Sequence, residues 1–489
     1  MNTIIEDLGI FVRPEIVCDQ LADEKVVVLL HSSRYEPSRA RYSYLLAQPL
    51  MVMASSGSSI QTFVGDKVEE HYGNPWSVME ELLRRFEMLR SIDYPFPLGG
   101  AFGYWGYDLG KFCEPIVARA GVPSEGAPDA LIGFFDSYIL FDHHLSKILI
   151  ISTGLDFDGS ISDSRAKSRA TALKHLVLSC VKKEEQPASS VAMPGSLQFG
   201  MSQHQYIAAV KKAQDYIRTG DIYQVNLAHE LHAEWNSSGW DFYKSLVRLS
   251  PAPFSAYLRF PQIEIASSSP ELFMKISGDE IETRPIKGTR PRGTSPDHDS
   301  QLGYELISSE KERSELVMIT DLLRNDLGRI CQYGTVHVPD LMTLEKYAQV
   351  QHLVSTVKGS LLPEVSHLQA VQRSFPGGSI TGAPKLRAMQ IIEELETASR
   401  GPYTGCCGYF GFNRETQLSI LIRTGILRDG KVNFPVGAGI VSDSVPASEW
   451  TETLDKAGAF RGLLRNSDDS VDNMNLSSSG FIRSSGLAQ

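Results

Sequence analysis

Short apolar runs broken by turns dominate the chain through residue 181: Val26-Val27-Val28-Leu29-Leu30, Leu45-Leu46, Ile132-Gly133-Phe134-Phe135 and Ile148-Leu149-Ile150-Ile151. Runs this short and this rich in β-branched and aromatic side chains suit strands and are too brief for buried helices. A chain of this kind must bury sheets. Helical spacing is confined to Trp76–Leu89 and Arg165–Leu178 in that region, and a polar stretch beginning at Lys182 reads as a linker. The expected division is an N-terminal subdomain over 1–181, a linker over 182–200, a second domain over 201–465 and a disordered tail over 466–489, where Ser, Asn and Asp leave little to bury.

Composition narrows the partners. Of 489 residues, 42% are hydrophobic and 21% charged, an ordinary balance for a globular protein large enough for two or three units. The formal net charge of -11 argues against nucleic acid, whose binders cluster Lys and Arg against phosphates. An anionic ligand would need local cations or a metal to overcome that field. No run approaches the length of a membrane span, and Met1 to Asp7 lacks the basic start and apolar core of a signal peptide, so a cytoplasmic protein with no membrane partner is expected. The six cysteines (Cys18, Cys113, Cys180, Cys331, Cys406, Cys407) show neither a Cys-x-x-Cys pair nor a disulfide framework.

The second domain carries the chemistry. In Arg284-Pro285-Ile286-Lys287-Gly288-Thr289-Arg290-Pro291-Arg292-Gly293, prolines stiffen the approach to Lys287 and Gly288 lets the backbone turn and come close to a ligand. Such a lysine is positioned rather than free. Ile207, Val210, Ala213 and Ile217 recur at helical spacing up to a capping Gly220, after which Asp221 to Leu227 reads as a strand. Glu312 and Glu315 stand three apart in a helical segment, and Glu449 and Glu452 repeat the spacing in a helix opened by Pro446. If the two helices meet, four carboxylates converge and require a cation; oxygen-only ligation suits Mg²⁺. Each pair alone would read as a solvated face. Gly437-Ala438-Gly439 follows a strand and could present backbone N–H groups. Arg423, read as lying in the apolar strand Ile420-Leu421-Ile422, needs a partner that a carboxylate would supply. The glycine-rich Gly377–Lys385 segment lacks the Gly-Lys-Ser/Thr ending of a phosphate loop and reads as a turn into a helix over Pro384–Glu396.

Taken in order, Pro285-Ile286-Lys287-Gly288-Thr289, Glu312-Arg313-Ser314-Glu315, Asp321-Leu322-Leu323-Arg324-Asn325-Asp326, Pro376 to Lys385 and Gly437 to Ser444 resemble the chorismate-utilising enzymes, with the match running from about Gln205 to Leu464 and weakly before it. Within that family the resemblance is to the branch that makes 4-amino-4-deoxychorismate, a precursor of 4-aminobenzoate and folate. It implies an α/β (α+β) chorismate-binding fold of two subdomains, with intertwined antiparallel sheets flanked by helices. It further implies Mg²⁺ held directly by Glu315 and Glu452 and through water by Glu312 and Glu449. Lys287 becomes the nucleophile at ring carbon C2 and Glu271 the acid/base. Gln224, Thr289, His352, Thr381, Tyr409, Arg423, Gly437, Ala438, Gly439 and Lys456 become substrate contacts. Relatives that add water carry a lysine where this chain has Gln224, and relatives that make anthranilate carry alanine where it has Lys287. The expected nitrogen donor is ammonia from a separate glutaminase subunit, since Cys406-Cys407 lacks the surroundings of a glutaminase elbow. In several relatives the N-terminal half holds tryptophan on a Leu-Leu-Glu-Ser element; here Leu29-Leu30-His31-Ser32 matches it, and Ser32, Pro253, Phe254 and Ser255 would line such a site.

Two rival readings remain at this level. The anthranilate-forming branch is disfavoured by Lys287 alone among the catalytic positions. A non-catalytic subunit that only binds an aromatic ligand would be free to lose its carboxylates, yet Glu271, Glu312, Glu315, Glu449 and Glu452 are all present.

Overall fold

In a computed structural model, residues 3–36, 39–88, 94–114, 127–183, 197–346 and 350–464 are described. Most of the anticipated linker (184–196) and the whole tail over 466–489 lie outside the described residues. Gln198–Phe199, at the end of the anticipated linker, forms a short strand against Leu231 and His232.

The apolar runs do form strands. Val27–His31, Tyr42–Ala47, Ala130–Phe135 and Lys147–Ser152 are all paired, and helices occupy Pro75–Phe86 and Asp163–Cys180. Among the described residues two 12-stranded antiparallel sheets result, and each draws strands from both halves of the chain. In the first, Val27–His31 pairs with Phe254–Phe260, Leu29 facing Tyr257. In the second, Gly100–Trp105 pairs with Cys406–Gly411, Gly103 facing Gly408. The fold is therefore mixed α/β with intertwined sheets. Because helices and the opposing sheet cover both faces of these strands, burial is almost unbroken along them: all six residues of Gly100–Trp105, Ala130–Phe135 and Ser137–Asp142 are buried.

Core packing crosses the same junctions. One cluster joins Trp76, Phe86, Trp105 and Phe134 from the first half to Tyr206, Ile319, Phe410 and Trp450 from the second. Several helices are closed by side-chain caps. Ser202 and Gln205 form a capping box at the start of Gln203–Arg218, with Gly220 at φ 81° just past its end. Ser309 caps the helix Glu310–Gly328. Among the described residues no helix is long and apolar enough to cross a membrane.

Candidate active site

Lys287 lies on the strand Ile286–Pro291, which pairs with Val350–Ser360 and shifts register between Lys287 and Thr289. Gly288 produces that shift: its φ is 67°, and a Cβ there would lie 2.6 Å from Leu306 Cδ1 and 2.9 Å from Glu312 Oε2. The backbone can therefore press against two helices only as glycine. The bulge directs Lys287 inward, with its side chain 15% exposed and Nζ 4.0 Å from Glu315 Oε2.

Two further walls meet the lysine. The strand Lys431–Ile440 runs antiparallel to Gln224–Glu234, with Gly439 opposite Asn226 and Gly437 opposite Ala228. Gly437-Ala438-Gly439 thus lies within a strand rather than after one. Its other strand neighbour, Thr424–Arg428, pairs only as far as Asn433, so the later residues offer an edge. Lys456 Nζ donates to the Gly437 carbonyl at 2.9 Å on that stretch. A Cβ on Gly439 would stand 2.5 Å from Gln224 Nε2 and 4.0 Å from Lys287 Nζ, so the missing side chain is what opens the space between them. The amide oxygen of Gln224 is buried without a hydrogen-bond partner among the described residues. Gln224 opens its strand, which begins there rather than at Asp221.

Glu271, immediately before the strand Leu272–Ser277, is buried, and its Oε1 accepts a 2.6 Å hydrogen bond from the Ser379 hydroxyl. Burial pushes its carboxyl above the ordinary range, against the pull of Ser379, Lys287, Lys456 and Arg423. A carboxyl so placed can hold a proton for donation. Arg423 is not in a strand: it occupies the break between Glu415–Ile420 and Thr424–Arg428, at φ 53°. Burial lowers its guanidinium pKa and the Glu271 charge opposes that shift. His352, opposite Thr289 on the neighbouring strand, is buried and pushed down to about 4 by burial and by Arg423, so it is neutral at physiological pH.

The four metal candidates come from two helices, Glu310–Gly328 and Pro446–Lys456, as expected, but they are not equivalent. Glu449 is buried, with one carboxylate oxygen lacking a hydrogen-bond partner among the described residues, whereas the Glu452 side chain is 47% exposed. Each carboxylate faces a cation: Glu312 with Arg290 at 3.8 Å, Glu315 with Lys287 at 4.0 Å, Glu449 with Lys311 at 3.8 Å and Glu452 with Lys456 at 2.8 Å. Burial pushes the Glu315 carboxyl up despite Lys287 and Lys311. For Glu452 burial acts the same way but Lys456, Lys311 and Lys287 outweigh it, leaving the carboxyl below its ordinary range. Among the described residues no group of three or more His, Cys, Asp or Glu stands ready to hold a metal ion. The donor chemistry, all carboxylate with one orphaned buried oxygen, nonetheless fits a hard divalent cation. His229, which sequence reasoning missed, fixes the second helix: its ring stacks on Trp450 at 4.6 Å and its Nε2 lies 2.8 Å from Thr453 Oγ1.

Not every anticipated contact arrives. Tyr409 is buried among Tyr44, Phe102 and Tyr138 between the sheets, with its hydroxyl 3.4 Å from that of Tyr44 and its pKa raised by burial. Tyr403, absent from the sequence reading, instead brings its hydroxyl to Gly437, 3.1 Å from where a Cβ would be. Its setting, Gly401-Pro402-Tyr403-Thr404-Gly405, was the available signal, because a turn that dense in Gly and Pro presents the side chain at its centre. The Thr381 hydroxyl donates to the carbonyls of Gly377 and Gly378 and so serves the turn. The helix beyond that turn spans Lys385–Leu395. The side chain of Thr289 lies outside the described residues. Ser32, Pro253, Phe254 and Ser255 line a separate cavity with Leu30 and His31. His31 meets Tyr243 there at 2.9 Å and is held neutral by burial.

The family described as chorismate binding enzyme matches residues 36–462. An anthranilate synthase component 1 of Acetivibrio thermocellus is 37% identical over 449 residues, 88% of this chain and 88% of its own length. An aminodeoxychorismate synthase component 1 of Bacillus subtilis (strain 168) is 35% identical over 442 residues, 90% of this chain and 92% of its own length. A crystal structure of anthranilate synthase component I from Streptococcus pneumoniae TIGR4 superposes with a TM-score of 0.75 at 31% identity, over 88% of this chain and 93% of that one. The two named activities occur at similar identity. A family match across most of the chain, on a fold whose sheets converge on Lys287, Glu271 and the glycine edge, makes this chain a member of the chorismate-binding enzymes.

Proposed function

We propose that the protein is aminodeoxychorismate synthase component I, converting chorismate and ammonia to 4-amino-4-deoxychorismate. The observation that carries this reading is the inward-facing Lys287 amine, bordered by Gln224 and Gly439 and within electrostatic reach of Glu271. An amine so held can add to ring carbon C2 while the C4–O bond breaks, and Glu271 delivers the proton that lets hydroxide leave as water. Ammonia then adds at C4, loses a proton, and the C2–Nζ bond breaks to release Lys287. Two allylic displacements place nitrogen on C4; one would place it on C2.

Arg423 and the Tyr403 hydroxyl are the donors for the substrate carboxylate remote from the glutamates, and neutral His352 can share a hydrogen bond without adding charge. The Gln224 oxygen, buried and unpartnered, accepts from substrate and cannot act as a base toward water. We assign Mg²⁺ to the glutamate helices, with Glu315 and Glu452 as ligands and Glu312 and Glu449 reaching it through water. When bound, it neutralises the ring carboxylate and polarises it as a Lewis acid. Ammonia comes from a separate glutaminase subunit. The cavity beside Ser32 and Phe254 is assigned to tryptophan, with His31 where several relatives carry glutamate.

Product analysis with chorismate, Mg²⁺ and ammonium tests the assignment. A non-aromatic amino product with no anthranilate fluorescence is expected, and anthranilate as the main product overturns it. Lys287→Ala should abolish the 4-amino product. Wild type given chorismate without ammonia should carry a mass adduct on the peptide containing Lys287.

A further inference from the structure

Arg400 is absent from the anticipated site yet all five of its N–H donors are satisfied in a buried position. Nε and Nη2 donate to Glu396 at 3.0 and 2.6 Å. Nη1 donates to the Ile380 carbonyl at 2.9 Å and to Thr404 Oγ1 at 3.1 Å, and Nη2 donates to the Asn226 carbonyl at 2.8 Å. The guanidinium lies over the Tyr107 ring at 4.7 Å and near that of Tyr403 at 5.9 Å. Glu396 is itself tied to the same strand as Asn226, accepting from the Ala228 N–H at 2.8 Å.

We propose that Arg400 is a positioning residue that holds three walls of the active site in register through this single fork. The first wall is the strand carrying Gln224, gripped at Asn226. The second is the 378–380 turn, gripped at Ile380; the preceding Ser379 donates to Glu271. The third is the loop gripped at Thr404, which places Tyr403 beside Gly437. None of these walls is covalently close to another, and Arg400 touches no reacting atom. A lysine would keep the charge but replace a planar fork of five donors by a point charge with three, so at least two of the five hydrogen bonds would be lost and the fixed geometry of the rest with them. This rests on the reading of Glu271 as the acid/base group, and adds that its geometry is set from Arg400.

A double-mutant cycle separates positioning from simple support of the fold. Chorismate consumption with ammonium is followed in Ser379→Ala, Arg400→Lys and the double variant, so the outcome does not depend on which amino product forms. Ser379→Ala should lower kcat about tenfold through loss of the hydrogen bond that orients Glu271, and Arg400→Lys by at least that. The KM for chorismate should rise in Arg400→Lys but not in Ser379→Ala, since only the former loosens Tyr403. The double variant should be no more than about twofold slower than Arg400→Lys, because both changes release the same contact. Multiplication of the two single effects in the double variant overturns the proposal, as does a wild-type kcat in Arg400→Lys. If Arg400→Lys fails to fold, Thr404→Val removes one grip at constant shape. A rise in the KM for chorismate, as Tyr403 is loosened, supports the proposal, and an unchanged KM overturns it.

Discussion

Glu271 combines a chemical role with a stability penalty. Its carboxyl is buried, and burial outweighs Ser379, Lys287, Lys456 and Arg423 in setting its affinity for a proton. The folded pKa exceeds the unfolded one, so the stability it contributes is present below the ordinary carboxyl range and is lost as pH rises through the raised native value. Once deprotonated, the buried group opposes folding. Glu271→Gln should therefore lower kcat about a hundredfold or more while raising the melting temperature by about 1–2 °C at pH 7.5, a gain that shrinks toward pH 4.5. A melting scan at several pH values checks both sign and window. Destabilisation at pH 7.5 would show that the three cations need this charge more than burial penalises it. At this scale the sequence was legible where chemistry and backbone coincided, as at Lys287-Gly288. It failed at Tyr409, because the strand Cys406–Gly411 is buried on both faces and its pattern carries no sign of which layer a side chain enters.

Elements set the site by where they stop and bend. The helical spacings of Glu312/Glu315 and Glu449/Glu452 were readable because an apolar pattern runs through both segments and Pro446 opens the second. The break at Arg423 was hidden, since its left-handed backbone falls in an apolar run with no proline or glycine to mark it. Gly288 is the opposite case, with the bulge announced by the residue type. In Gly288→Ala a methyl group would meet Leu306 and Glu312 on a backbone that disfavours any side chain. The expected penalty is on the order of 2–4 kcal/mol in stability. Displacing Lys287 by even an ångström would lower kcat by about a hundredfold. Denaturant titration and steady-state rates measure the two effects. A variant with full activity would mean that the bulge does not position the lysine.

At the scale of the whole molecule the strand content of the first half was legible, but its partners were not, because pairing between distant segments leaves no local trace. The sheets join Val27–His31 to Phe254–Phe260 and Gly100–Trp105 to Cys406–Gly411, so the segment 1–183 supplies inner strands to both sheets that carry the site. Removing it would uncover two long apolar edges and the aromatic layer around Tyr409, which packs on Tyr44, Phe102 and Tyr138. A fragment starting at Leu197 contains every proposed catalytic and metal-binding residue, yet it should aggregate when expressed alone. Co-expression of residues 1–183 as a separate chain should restore solubility and chorismate consumption, since the two pieces pair through backbone ladders. Ultracentrifugation of the fragment alone and of the co-expressed pair checks this. A soluble, monomeric fragment with a cooperative melt would mean that the catalytic half folds independently and that the cross-sheet pairing is dispensable.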